Sequence, residues 1–209
     1  MPNSPDRLIY YAIGDVHGEA DRLLTLHDAI FEHHELCFDG QPICIVHLGD
    51  YVDRGPDSCG VIDAIMALET RAETRSDLSI ISLMGNHERM MLNAFGPDTS
   101  DRQFWLANDG DATVESYERQ GRGEADLKHL TWMKQLPLIW HDEEAGLIFV
   151  HAGVSPDNYP DDREAVYLWT RSPVFFDPSC WTAPALDGMT VIHGHTPTED
   201  DEPDLADGG

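Results

Sequence analysis

The stretch Ile43-Cys44-Ile45-Val46-His47-Leu48-Gly49-Asp50-Tyr51-Val52-Asp53-Arg54-Gly55 decides how the chain is read. Its first six residues are a short, nearly continuous apolar run of strand length. Such a run suits a strand covered on both faces, as in a layered α/β protein. A glycine then ends the run, and two aspartates and an arginine follow within five residues. In open α/β sheets ligands bind in the crevice beyond the carboxyl ends of the strands, so polar groups delivered there are candidates for chemistry.

Four other runs repeat the pattern. LIYYAI (8–13) leads into Gly14-Asp15-Val16-His17-Gly18, SIISLM (79–84) into Gly85-Asn86-His87-Glu88, LIFV (147–150) into His151-Ala152-Gly153, and MTVI (189–192) into His193-Gly194-His195-Thr196. Five strands thus carry five polar clusters, with glycines where the backbone must turn sharply. Helical patterns fill the gaps. Residues 20–36 place Leu23, Leu24, His27, Ile30 and Phe31 at helical spacing, and Asp57 can cap a helix bearing Val61, Ile62, Ile65, Met66 and Leu68. Residues 96–146 show no strong strand and are expected to be a mainly helical insertion, with Trp105, Leu106, Leu127, Leu130, Trp132, Met133 and Leu136 packing a small core. The expectation is an α/β protein with one domain over 1–198 and an acidic, flexible tail over 199–209.

Composition narrows the function. The 209 residues hold 13 basic and 39 acidic side chains, a formal charge of −26, which argues against nucleic-acid binding through a basic face. No apolar run reaches the roughly 18 residues of a membrane span and the start MPNSPDR is unlike a secretory signal, so a cytoplasmic protein with no membrane partner is expected. Cys37, Cys44, Cys59 and Cys180 form no CxxC pair and are read as reduced core thiols. The residues do not determine the oligomeric state.

Aspartate, asparagine and histidine together suit Mn²⁺, Fe or Zn²⁺, and no cysteine lies in any cluster. Two aspartates, an asparagine and three histidines exceed the four groups that one tetrahedral ion takes, which predicts two ions sharing a bridging carboxylate. His27, His33, His34, His129 and His141 lie outside the clusters and are assigned to surface or packing. His47, inside a strand run, is assigned a structural role.

The order GDVHG, GDYVDRG, GNHE, HAG, GHT resembles the calcineurin-like metallophosphoesterases, and within them the bacterial phosphoprotein Ser/Thr phosphatases. With LPLIW (136–140) and YLWTR (167–171) the resemblance spans 13–197. It implies a four-layer sandwich, two β-sheets flanked by helices; relatives continue after GHTP with further strands, so it also implies a sheet lacking its last strands. Carried over, Asp15 and His17 hold the first ion, Asp50 bridges, and Asn86, His151 and His195 hold the second. Pro197 stands where many relatives have the second histidine of GHxH, and His193 is a neighbour pointing away.

The cofactors implied are two divalent ions, manganese first and iron or zinc next. They would generate hydroxide for in-line attack on phosphorus. His87 would protonate the leaving alkoxide, Asp53 would orient it, and Arg54, Asn86 and Arg171 would hold phosphate oxygens. Glu88 is expected to support the fold. The substrate implied is phosphoserine or phosphothreonine in a phosphoprotein or phosphopeptide. The alternatives are a dinucleoside polyphosphate such as diadenosine tetraphosphate, or a catalytically silent binding protein, against which intact His87 and Asp53 argue.

Overall fold

A computed structural model of the chain describes residues 8–198 together with 204 and 205. The tail expected over 199–209 therefore lies, but for those two positions, outside the described residues. Strands β1 (Ile9–Ile13), β2 (Ile43–His47) and β3 (Leu78–Ser82) pair in parallel in that order, with β2 in the middle and buried along its whole length. Helices α1 (Ala20–Phe38) and α2 (Ser58–Ala72) make the crossovers that parallel pairing requires. The Asp57 side chain accepts the Gly60 N–H and starts α2. A second sheet runs β4 (Ile139–Asp142), β5 (Leu147–Val150), β6 (Thr190–Ile192), with β4 antiparallel and β6 parallel to β5.

The period of two in a strand sorts side chains between layers. On β2, Ile43 and Ile45 face the helices, whereas Cys44 and Val46 face the second sheet, where they meet Leu48, Leu83 and Phe149. On β5, Leu147 and Phe149 take the inner side and Ile148 and Val150 the outer one, against Tyr159, Tyr167, Phe175 and Leu186. The architecture is the expected α/β arrangement of two sheets flanked by helices, the second outer layer being α7 (Glu164–Trp169), 3₁₀ turns and loops. No described helix is long and apolar enough to cross a membrane.

Between residues 96 and 146 the chain is mostly helical but also forms a strand. Helices α4 (Thr99–Trp105), α5 (Asp111–Arg119) and α6 (Leu127–Met133) follow α3 (Asn86–Ala94), but Ile139–Asp142 is a strand. Four residues are too few to show a period; β4 forms because the turn at 143–146 returns the chain as β5 and because Trp140 packs on Phe149, ring centroids 5.5 Å apart. Trp105, Tyr117 and Met133 join the large cluster beneath β1–β3 instead of a small core of their own. Leu24 faces outward, off the stripe of Leu23, His27 and Ile30. Only Cys44 and Cys59 are core thiols; Cys37, in the last turn of α1 where burial thins, and Cys180, in a 3₁₀ turn, are exposed.

One polar pair sits inside the helix-facing layer. His27 Nε2 and His47 Nε2 are 2.9 Å apart, so one ring donates, the other accepts, and both are neutral. Burial lowers the pKa of His47 to about 3 and lowers that of His27 as well. Unfolded histidine titrates near about 6.5, so from there down to about pH 3 the unfolded chain binds protons that the folded chain refuses. Stability falls with acidification over that window by about 1.4 kcal/mol per pH unit for His47 alone. Replacing both His27 and His47 by leucine should flatten the urea-measured stability between pH 7 and 5 by about 2 kcal/mol; an unchanged slope would contradict the neutral pair.

Candidate metal centre

The polar clusters meet where β1, β2, β3, β5 and β6 end. Two strand-end loops approach so closely that a Cβ on Gly49, whose φ is +104°, would lie 2.6 Å from the Gly85 backbone. Six non-glycine residues among those described have positive φ: His17, Asp50, Asp53, Arg54, Asp109 and His195. Each such conformation costs on the order of 1–3 kcal/mol and persists only where surroundings enforce it. All six lie in or against this cleft.

Glu88 is one enforcer. Its buried carboxylate accepts N–H bonds from Gly85 (2.9 Å), Asp50 (2.8 Å), Tyr51 (2.7 Å) and Val52 (3.2 Å). Burial and the charge of Asp50 raise its pKa while the N–H bonds oppose the rise. Four converging donors suit the ionised carboxylate, which offers only lone pairs.

Asp50 is the centre of the cluster. Its Oδ2 lies 3.6 Å from His17 Nε2 and its Oδ1 lies 3.4 Å from His151 Nε2, so its two oxygens face different histidines. The His87 backbone N–H, at the start of α3, donates to Oδ1 at 3.0 Å. Burial pushes the Asp50 pKa up to about 7; Asp15 adds to the rise and His87 opposes it. Ligand atoms of His17, Asp50 and His87 lie within 4.8 Å of one another, as do those of Asp50, His151 and His195.

The donor set fits divalent cations. His151 Nδ1 is 2.9 Å from Leu48 O and His17 Nδ1 is 2.9 Å from Val52 O, which puts the ring protons on Nδ1 and leaves lone pairs on both Nε2 atoms. Burial keeps these rings neutral, lowering the His17 pKa to about 4 and that of His151 in the same direction. The bare Nε2 of His151 then faces Asn86 Oδ1 at 2.9 Å and Asp50 Oδ1 at 3.4 Å. Acceptors pressed against acceptors repel, and a shared cation turns that repulsion into coordination.

The remaining residues named from sequence also gather here. His195 Nδ1 is 3.2 Å from His151 Nε2, and burial, then the neighbouring His151 and Arg171, lower its pKa to about 4. Asp15 accepts the His195 backbone N–H at 2.9 Å and lies 3.9 Å from His17 Nε2. Asp53 Oδ2 holds His87 Nδ1 at 2.7 Å. Burial works against the charged form of His87, but the hydrogen bond and the charges of Asp50 and Asp53 outweigh it, and its pKa is raised.

Arg54 Nη1 donates to His17 Nε2 at 2.8 Å and Nη2 lies 3.3 Å from His87 Nε2. The His17 lone pair is the one a cation would take, and Arg54, with its side chain half exposed, is free to give it up. Arg171 donates to His195 Nε2 and to His195 O, both at 3.2 Å. A cleft of about 400 Å³ is lined by Asp50, Arg54, Asn86, His87, Asn108, Trp169, Arg171 and His195. His193 instead packs on Phe175 and Phe176. Sequence reasoning missed Trp105 and Thr113, which bond to Asp53, and Asn108 and Trp169, which line the cleft.

A family model for calcineurin-like phosphoesterases matches residues 10–207. Serine/threonine-protein phosphatase 2 of Salmonella typhimurium (strain LT2) is 30% identical over 190 residues, 88% of this chain and 78% of that protein. The symmetrical bis(5'-nucleosyl)-tetraphosphatase of Salmonella paratyphi C is 29% identical over 195 residues, 87% of this chain and 60% of that protein. A solved structure provisionally identified as a diadenosine tetraphosphatase superposes with a TM-score of 0.54 at 20% identity, over 95% of this chain and 85% of its own, a likeness of fold alone.

The Glu88 contacts carry a stability prediction. Glu88→Gln places an amide NH₂ among N–H donors and should lower the urea-measured stability of the metal-free protein by about 3 kcal/mol. A change under about 0.5 kcal/mol, the range of ordinary surface substitutions, would show that these contacts do not hold the loops.

Proposed function

Because the chain belongs to the calcineurin-like phosphoesterases, a family of metal-dependent hydrolases, we propose that it hydrolyses phosphate monoesters of serine and threonine in proteins at a centre of two divalent ions. The observation that carries this reading is Asp50, one buried carboxylate whose two oxygens face His17 and His151 separately. In the proposed set Asp15, His17 and Asp50 hold one ion and Asp50, Asn86, His151 and His195 the other, with manganese the first candidate. When bound, the two ions supply positive charge to the phosphoryl oxygens and acidify water so that it can attack phosphorus.

The chain's own residues do the rest. Arg54 and Arg171, on the walls of the cleft, grip phosphoryl oxygens with forked N–H donors, and the Asn86 amide NH₂ adds a neutral donor. His87, held at Nδ1 by Asp53, presents Nε2 to the cleft and gives its proton to the leaving alkoxide. Protonation matters most for serine and threonine esters, whose alkoxides are strong bases. The −26 charge repels anions at long range, but salt screens it over about 8 Å and the arginines act at contact.

A second reading, a dinucleoside polyphosphatase, is favoured by the 29% identity to the symmetrical tetraphosphatase over 87% of this chain. Assaying a phosphothreonine peptide and diadenosine tetraphosphate side by side, with manganese added after chelator treatment, separates the two. Faster turnover of the peptide supports the first reading; exclusive cleavage of the dinucleotide replaces it with the second. His87→Asn should lower turnover by about 10²-fold to 10⁴-fold with metal content unchanged, and loss of bound metal in that variant would make His87 a ligand instead. Asp50→Asn should weaken retention of both ions, and two fully retained ions with normal rates would reject the bridge.

A further inference from the structure

We propose that Trp105 and Thr113 are positioning residues for proton transfer: the helical segment 99–119 reaches back to the cleft and clamps the Asp53 carboxylate, which in turn aims His87. The inference rests on the reading of His87 as proton donor. Asp53 is fully buried. The Trp105 indole N–H reaches both carboxylate oxygens, at 3.0 Å to Oδ1 and 2.9 Å to Oδ2. The Thr113 hydroxyl donates to Oδ1 at 2.7 Å, which leaves the second direction on Oδ2 to His87 Nδ1 at 2.7 Å. Thr113 Oγ1 also accepts the Asp53 backbone N–H at 2.8 Å, so one hydroxyl holds both the main chain and the side chain of Asp53.

Donors from three sides leave the carboxylate no freedom to turn about its Cβ–Cγ bond, and His87 therefore meets a fixed acceptor. The indole is itself fixed. Trp105 is fully buried, and Gly110 passes so close beneath it that a Cβ there would lie 2.5 Å from the ring. The chain leaves helical geometry at Asn108 and Asp109 between α4 and α5, which brings the Asp109 carbonyl to 3.3 Å from the Arg54 N–H. Asp53 and Arg54, consecutive residues with φ of 73° and 64°, are thus both held by this one segment. Strained neighbours of that kind need support from outside their own loop.

A buried indole that merely needed an acceptor would give the same hydrogen bonds, so the test uses a readout that simple support would not move. Trp105→Phe, Thr113→Val and Thr113→Ser are compared with His87→Asn on two substrates. p-Nitrophenyl phosphate releases a phenolate that leaves unprotonated; phenyl phosphate releases phenol, whose pKa of about 10 matches tyrosine and makes proton donation matter. His87→Asn is expected to lose at least about tenfold more kcat on phenyl phosphate than on p-nitrophenyl phosphate. Trp105→Phe and Thr113→Val should show the same selectivity, with about tenfold loss on phenyl phosphate and less than about threefold on the nitro ester, and Thr113→Ser should restore both rates.

In the metal-free protein the His87 Nδ1–H proton, held downfield in NMR spectra by its bond to Asp53, should broaden or move upfield in Trp105→Phe. Equal losses on the two substrates, or none, in Trp105→Phe and Thr113→Val, with His87→Asn selective and the resonance unmoved, would overturn the inference alone. An unselective His87→Asn would overturn the proton-donor reading and the inference with it. If Trp105→Phe does not fold, the Thr113→Val and Thr113→Ser pair decides.

Discussion

Lone pairs crowd around one buried carboxylate at the strand ends. His17 and His151 commit their Nδ1 atoms to backbone carbonyls, and their bare Nε2 atoms look onto opposite oxygens of Asp50. A carboxylate withdrawn from water costs several kcal/mol to ionise unless opposite charge meets it, and neutral imidazoles bring none. Burial drives Asp50 and the histidines in opposite directions, the acid up and the bases down. Divalent cations reverse both penalties, and a family of metal-dependent phosphoesterases is where such an arrangement belongs.

Holding that cluster open requires structure elsewhere. Five of the six left-handed residues belong to the clusters themselves, and the sixth, Asp109, touches Arg54. Glu88 gathers four N–H groups from two loops, while Trp105, Thr113 and Ser58 hold Asp53 from the other side. The folding energy comes from the layers behind, where residues such as Ile45, Val46 and Phe149 are fully buried. Each is worth about 1.5–3 kcal/mol relative to exposure, enough to offset one strained residue.

Much of this was legible because chemistry and topology coincide in the chain. Each of the five runs ends in its polar cluster, and all five are strands within a residue or two of their expected limits. Residues far apart in sequence, such as Asp15 after β1 and His195 after β6, meet because the two sheets pack face to face and those strands end at the same cleft. Other features were hidden for physical reasons. β4 has four residues and acquires its identity from β5. Trp105 reads as core from its spacing, and it is core; only the general need of a buried indole N–H for an acceptor hinted at a second role, and nothing local pointed to Asp53. Leu24 and Cys37 carry apolar side chains on an outer face, which composition does not forbid.

The most direct measurement is anomalous X-ray scattering from a crystal of the protein equilibrated with manganese. Two peaks are expected, one beside Asp50 Oδ2 and His17, the other beside Asp50 Oδ1 and His151. A single peak, or two that do not share Asp50, would contradict the bridging carboxylate.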